Sequence, residues 1–113
     1  MVIGIVPDRS KTETLLNNLS EADFKLKDVS VITRDVKVRQ SITDDAGPLK
    51  GIAPGELATT LAKLGMAKDE AQAYADAILQ GWFLVAVAVP HEAAAAAAEM
   101  LRDASAEKVR TLG

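Results

Sequence analysis

The chain has 113 residues, 49% of them hydrophobic and 26% charged, which fits one domain with a packed core. Its net charge of −3 argues against a nucleic-acid-binding protein, because such proteins usually carry a basic surface. The absence of cysteine excludes thiol catalysis, thiolate metal sites and disulfides, and the single histidine excludes sites that need several imidazoles. We predict no cofactor and no metal site.

No segment predicts export or membrane insertion. The first ten residues lack the basic region of a signal peptide, and their apolar run stops at Pro7. The longest later apolar runs, 82–90 and 93–98, fall well short of the roughly 20 residues that a membrane span requires. We therefore expect a cytoplasmic protein that does not contact a membrane.

The first third of the chain predicts a strand, a helix and a second strand. Val2–Val6 is a short β-branched run typical of a strand. Ser10 and Glu13 have the spacing of a capping box, which predicts that a helix begins there. Residues 28–33 alternate as a second strand, and the turn-rich stretch 37–53 that follows is expected to be a mobile loop.

Two helices then form a predicted hairpin. Pro54 favours a helix start, and Gly65 favours the end of that helix. The apolar spacing over Lys68–Leu79 predicts a second helix, which stops before Gly81.

The last third of the chain predicts a strand, a helix and a strand. Residues 82–89 are consecutively apolar, as in a buried strand. Pro90 opens an alanine-rich helix whose small side chains would let it lie close to a sheet. Residues 108–112 form the final predicted strand.

The element order is β-α-β-(αα)-β-α-β, which predicts an α+β, ferredoxin-like sandwich in a single domain spanning 1–113. The inserted loop and helical hairpin, about residues 36–80, lie between strands 2 and 3. The two central strands are apolar at odd and even positions alike, so both faces of the sheet must be covered. Either the hairpin or a second subunit could cover the second face.

Four basic residues are concentrated around the long loop: Arg34, Lys37, Arg39 and Lys50. They are candidates for binding a small anionic ligand or an acidic partner. Three nearby aspartates dilute this charge, and an ordinary mixed-charge loop is the alternative interpretation.

Trp82 and Tyr74 are candidate interface residues, because buried aromatic rings with a polar atom serve as core or interface anchors. No catalytic residue is predicted. His91 lies beside Glu92, but the sequence indicates neither a pocket nor a positioned partner for acid–base work.

Two segments carry a resemblance to a known family. The opening VIGIVPDRSKTETLLNNLSEADFKLKDVSVITRD and the later LGMAKDEAQAYADAILQGWFLVAVAV are similar to the two halves of the YflT-like family of heat-induced general stress proteins. The resemblance implies a small bacterial stress-associated protein with no known reaction. Members often have a glycine-rich apolar insert between the halves, whereas this chain has the charged stretch 37–51, which argues against membrane association.

Three functions stay open at this point. The leading hypothesis is a non-enzymatic protein that acts as a homodimer or larger homo-oligomer, or through another protein partner. The alternative is a sensor or regulatory domain that holds an anionic ligand near Arg34 and Arg39, which rests on fold analogy. The third, an enzyme, would need a pocket around His91 or an acidic residue.

Overall fold

A computed structural model describes residues 1–112 and has a four-stranded antiparallel sheet with five α-helices. The predicted α+β class is confirmed. The strands, whose order in the sheet is β2-β3-β1-β4, are β1 (Val2–Val6), β2 (Val29–Ile32), β3 (Phe83–Val87) and β4 (Glu107–Thr111). The helices are α1 (Arg9–Glu21), α2 (Val36–Ile42), α3 (Leu57–Lys63), α4 (Lys68–Leu79) and α5 (Ala94–Asp103).

The sheet lies between two helical layers, because alternate residues of each strand point to opposite faces. Val2 and Val6 join the first core, which α1 and α5 cover. Ile3 and Ile5 join the second core, which is built with side chains of the α3–α4 hairpin. The hairpin of the same chain therefore covers the second face, and no second subunit is needed to bury it.

The alanine-rich helix α5 packs close to β1 at Gly4. A Cβ atom at Gly4 would lie 3.0 Å from Cδ2 of Leu101 and 3.2 Å from Cγ2 of Val109. Ala97 and Ala98 of α5 are buried in the same core. The small side chains allow the close approach that the sequence predicted.

Helix α1 begins earlier than the capping box predicted. Asp8 is the N-cap, and its Oδ1 accepts a hydrogen bond of 2.8 Å from the Lys11 backbone nitrogen. That hydrogen bond holds the pKa of Asp8 below its ordinary value. Glu13 pairs with Arg9 instead, at 2.8 Å. The prediction of Ser10 as the cap was wrong, since Ser10 already lies inside the helix.

The stretch predicted as a loop contains the short helix α2. Oδ1 of Asp35 accepts hydrogen bonds from the backbone nitrogens of Lys37 and Val38, so Asp35 caps this helix. The turn residues that predicted the loop, 44–48 and Gly51, all lie after this helix. The alternation of apolar residues in β2 changes parity at Val36 and Val38, which indicates that the strand ends before them; the structure ends β2 at Ile32 and begins α2 at Val36.

The edge of β2 is covered by residues 43–53, which we call the edge loop. Ser30 Oγ donates to the Ala46 carbonyl at 2.6 Å and accepts from the Leu49 nitrogen at 2.8 Å. The Gly47 nitrogen donates to the Lys27 carbonyl at 3.0 Å. Gly47 has a φ of +80°, and a Cβ atom there would lie 2.5 Å from the Ser30 nitrogen. The edge loop therefore lies directly against the strand backbone.

The opposite edge, β4, carries a bulge and charged side chains. The pairing of β1 with β4 shifts between Ile3 and Ile5, and Lys108 has a φ of +52°. Glu107 and Lys108 are exposed. A bulge and charges are two common ways to keep an edge strand from pairing with another chain.

Candidate functional site

The four basic residues predicted as an anion site have different surroundings. Arg39 is the most enclosed, with a side chain only 11% exposed. Its guanidinium donates to the Ile52 carbonyl at 3.0 Å and to Oδ1 of Asp45 at 3.0 Å. Asp45 in turn accepts from the Gly51 nitrogen at 3.1 Å. The charge of Arg39 is thus already paired inside the edge loop.

The other three cations are exposed. Arg34 Nη1 donates to the Leu79 carbonyl at 3.2 Å, so this side chain reaches the end of α4. Lys37 lies on α2, and Lys50 lies on the edge loop. The structure ties Arg34 and Arg39 to separate carbonyl groups, and it gives no direct contact that joins the four cations.

Tyr74 lies in the second core with 1% of its surface exposed. Its hydroxyl donates to the Lys108 carbonyl, at the bulge of β4. Burial raises the pKa of Tyr74 to about 12, the charge of Glu70 adds to the rise, and Arg110 opposes it. Arg110 also forms an ion pair with Glu70. Tyr74 therefore serves the interior of this chain, where it fastens β4 to α4.

Trp82 is half-buried and packs at the border of the second core. Its backbone carbonyl accepts a hydrogen bond of 3.4 Å from Thr33 Oγ1. This contact brings the end of β2 next to the start of β3. The backbone of Trp82 is thus held beside the segment that carries Arg34, and its side chain is half-buried.

Two more apolar side chains adjoin this segment. Leu79 is 61% exposed and Val36 is 53% exposed, which makes them the most exposed large hydrophobic residues among residues 1–112. Val36 follows Arg34 by two residues, and the Arg34 guanidinium bonds the Leu79 carbonyl. We group Arg34, its near neighbour Val36, Leu79 and Trp82 as the Arg34 patch, because the Arg34–Leu79 and Thr33–Trp82 hydrogen bonds bring their backbone segments together.

Local backbone geometry positions the Arg34 patch. Helix α4 ends at Leu79, and Gly81 turns the chain into β3 with a φ of +102°. A Cβ atom at Gly81 would lie 3.7 Å from the Arg34 guanidinium carbon, an ordinary van der Waals distance, so the guanidinium lies beside this turn. The patch therefore joins the end of the hairpin to the loop after β2.

Sequence reasoning found Arg34 and Trp82 but missed Leu79 and Val36. The buried side of α4 is formed by Ala71, Tyr74, Ala75 and Ile78. Leu79 follows these residues but does not belong to the buried side, and this position on the helix could have predicted that it is exposed. For Val36, the signal was the flipped alternation after Arg34.

A separate groove of about 440 Å³ runs along the outer side of the hairpin. Its lining consists of Ala58, Thr59, Ala62, Lys63, Lys68 and Gln72. The two lysines give this groove a positive character. Residues 1–112 contain no group of three or more acidic or histidine side chains placed to hold a metal ion.

None of the helices within residues 1–112 combines the length and apolar character needed to cross a bilayer. No protein-family model matches the chain, and no curated protein or solved structure is significantly similar to it. The resemblance to the general stress proteins therefore stays a prediction.

Proposed function

We propose that this chain is a small non-enzymatic protein that works by self-association through the Arg34 patch. The observation that carries the proposal is the exposure of Leu79, whose carbonyl binds Arg34, and of Val36, which follows Arg34 by two residues. Burying a Leu or Val side chain contributes about 1.5–3 kcal/mol. Leaving both in water forgoes that stabilisation unless another surface covers them.

The composition of the patch also favours a protein partner. Tryptophan and arginine are the residue types most often found at the energetic centre of interfaces. Here the half-buried Trp82 and the exposed Arg34 lie with two exposed aliphatic side chains. Arg34 is held by its bond to the Leu79 carbonyl, so part of its ordering cost is met before association.

The scaffold that we propose is a ferredoxin-like sandwich with the α3–α4 hairpin inserted between β2 and β3. The strand order β2-β3-β1-β4 with antiparallel neighbours supports this topology. The packing of α1 and α5 into one core supports it further. In this scaffold the inserted hairpin supplies Leu79, and the loop after β2 supplies Arg34.

Sedimentation velocity over a concentration series, from low to high micromolar, tests self-association. We expect the unmodified chain to form a dimer as concentration rises. Leu79→Glu places a charge in the patch and should weaken the dimer about tenfold or more, which corresponds to about 1.4 kcal/mol or more. An unmodified chain that stays monomeric at high micromolar concentration contradicts the proposal.

Leu64→Glu is the matched control. Leu64 is also an exposed leucine, 47% exposed, but it lies at the other end of the hairpin. The 12 residues of α4 separate the two ends by about 18 Å. This variant should dimerise as the unmodified chain does. Equal weakening by both variants would mean that added charge, and not the Arg34 patch, is responsible.

The proposed setting is the cytoplasm of a stressed bacterial cell. This part of the proposal rests on the resemblance of residues 2–35 and 64–89 to the general stress proteins. Quantitative mass spectrometry of cells before and after heat shock tests it. An unchanged amount of the protein would remove the stress role and leave the self-association proposal standing.

A further inference from the structure

We infer that the Arg34 patch pairs with the same patch of a second copy across a two-fold axis, with Arg34 of each copy against Asp35 of the other. This inference rests on the proposed self-association and names its partner and geometry. Arg34 and Asp35 are adjacent in the chain, opposite in charge and both exposed.

Both side chains retain capacity for a new partner. Arg34 uses only Nη1, in its bond to the Leu79 carbonyl, among the contacts within residues 1–112. Asp35 uses only Oδ1, which caps α2 through the nitrogens of Lys37 and Val38. Nε and Nη2 of Arg34 and Oδ2 of Asp35 are therefore available for a charge-assisted hydrogen bond.

The order of the charges favours a second copy over a different protein. In a two-fold interface, residue i contacts residue j and residue j contacts residue i. A surface with a cation next to an anion is complementary to its own copy in this arrangement. Two Arg34–Asp35 pairs would then flank the apolar side chains of Val36 and Leu79, as polar rims flank interface cores.

The adjoining helix provides the remaining area. A stable dimer buries about 800 Å² on each partner, which is more than four side chains provide. Helix α2 begins at Val36, and its residues Val36, Lys37, Gln40 and Ser41 are exposed, whereas Val38 and Ile42 pack against the first core. The interface therefore extends from the patch along the exposed side of α2.

A charge-exchange experiment tests the pairing. Arg34→Glu sets two acidic side chains against each other in each pair of its own dimer, and Asp35→Lys sets two basic side chains against each other. Each variant alone should dimerise about 10- to 100-fold more weakly than the unmodified chain, because like charges then face each other twice. A mixture of the two variants relieves this repulsion, because one pair joins the two introduced charges, which are opposite, and the other joins the two native ones. The mixture should form a heterodimer, which native mass spectrometry identifies by its mass.

The outcomes separate this inference from the proposed function. If both variants dimerise as the unmodified chain does, the Arg34–Asp35 pairing is wrong and self-association occurs elsewhere. If each variant is weakened but the mixture stays monomeric, the two-fold geometry is wrong. If the unmodified chain is itself monomeric, the proposed function fails together with the inference.

Asp35→Lys removes the N-cap of α2 and could unfold the helix, so a second variant is needed. Asparagine caps helices nearly as well as aspartate, so Asp35→Asn keeps the cap and removes only the charge. Circular dichroism establishes which variants fold. If Asp35→Lys unfolds, a mixture of Arg34→Glu with Asp35→Asn should form more heterodimer than Arg34→Glu forms homodimer. The absence of any gain would overturn the inference.

Discussion

The two edges of the sheet are protected in different ways. At β2, the edge loop lies against the strand backbone, with Gly47 in contact and Ser30 bonded on both sides. At β4, the strand stays at the surface, bulged at Lys108, and is fastened to α4 by Tyr74. One edge depends on a close fit of backbone atoms, whereas the other depends on a few side-chain contacts. We therefore expect larger effects from changes at the β2 edge.

The largest effect is expected for Gly47→Ala. The new methyl group would meet the Ser30 backbone at 2.5 Å, in a conformation with a φ of +80°. Strain and overlap together should lower the free energy of unfolding by about 3 kcal/mol or more. Urea denaturation measures this change.

Gly51→Ala is the control for Gly47→Ala. Gly51 has a φ of +78°, but a Cβ atom there meets nothing within 4 Å. This variant isolates the left-handed backbone strain, which is about 1 kcal/mol for a residue other than glycine. Similar losses for the two variants would show that the edge loop gives way and is not closely fitted to β2.

At the β4 edge, we expect a pH effect that depends on Tyr74. The pKa of Tyr74 is raised to about 12, above its ordinary value of 10.0, so the unfolded chain loses this proton first. The contribution of Tyr74 is complete below pH 10 and falls as the pH rises from 10 to 12. The total loss is about 2–3 kcal/mol, since one pKa unit corresponds to about 1.4 kcal/mol.

Tyr74→Phe supplies the comparison for that pH effect. Because Tyr74 is the only tyrosine, the difference between the two pH profiles of stability isolates its titration from that of the lysines. The variant should also lose about 1 kcal/mol at neutral pH, from the missing hydrogen bond to Lys108. If the stability of the unmodified chain and of Tyr74→Phe changed with pH in the same way, Tyr74 would not be held in the core.

The smallest effect is expected for Glu70→Gln. The ion pair between Glu70 and Arg110 is more than a third exposed on both sides, so its loss should change stability by about 1 kcal/mol or less. The same variant should lower the pKa of Tyr74, because the Glu70 charge helps to raise it. Absorbance titration of Tyr74 measures this shift, and a pKa that rises would contradict the assigned contacts.

The sequence was sufficient to predict most of the elements but not their long-range contacts. Consecutive apolar residues in β1 and β3 indicated the central strands, and glycines 65 and 81 indicated the helix ends. Helix α2 was missed because the turn residues within 37–53 predicted a loop over the whole stretch, and its β-branched valines do not favour a helix. The edge loop was expected to be mobile because turn residues do not reveal that Gly47 packs on Ser30.

The residues of the candidate site were partly predictable from the sequence, but the contacts that bring them together were not. Residue type identified Arg34 through its charge, as a candidate for binding an anionic ligand or acidic partner, and Trp82 as a candidate interface residue. The bond from Arg34 to the Leu79 carbonyl joins positions 45 residues apart, and no local pattern contains it. The hydrogen bond from Tyr74 to the Lys108 carbonyl likewise joins positions 34 residues apart.

The place where the hairpin is inserted also has a consequence for folding. A hydrogen bond joins Thr33 to Trp82, which are 49 residues apart in sequence. The chain therefore leaves the sheet after β2 and returns to it, at β3, beside the same place. Joining β2 to β3 therefore requires a long loop to close, which slows folding. Helices α3 and α4 pack on each other across a short turn and can form early, which shortens the span left to search. We expect the helical hairpin to act as the nucleus that brings the β2–β3 pair together.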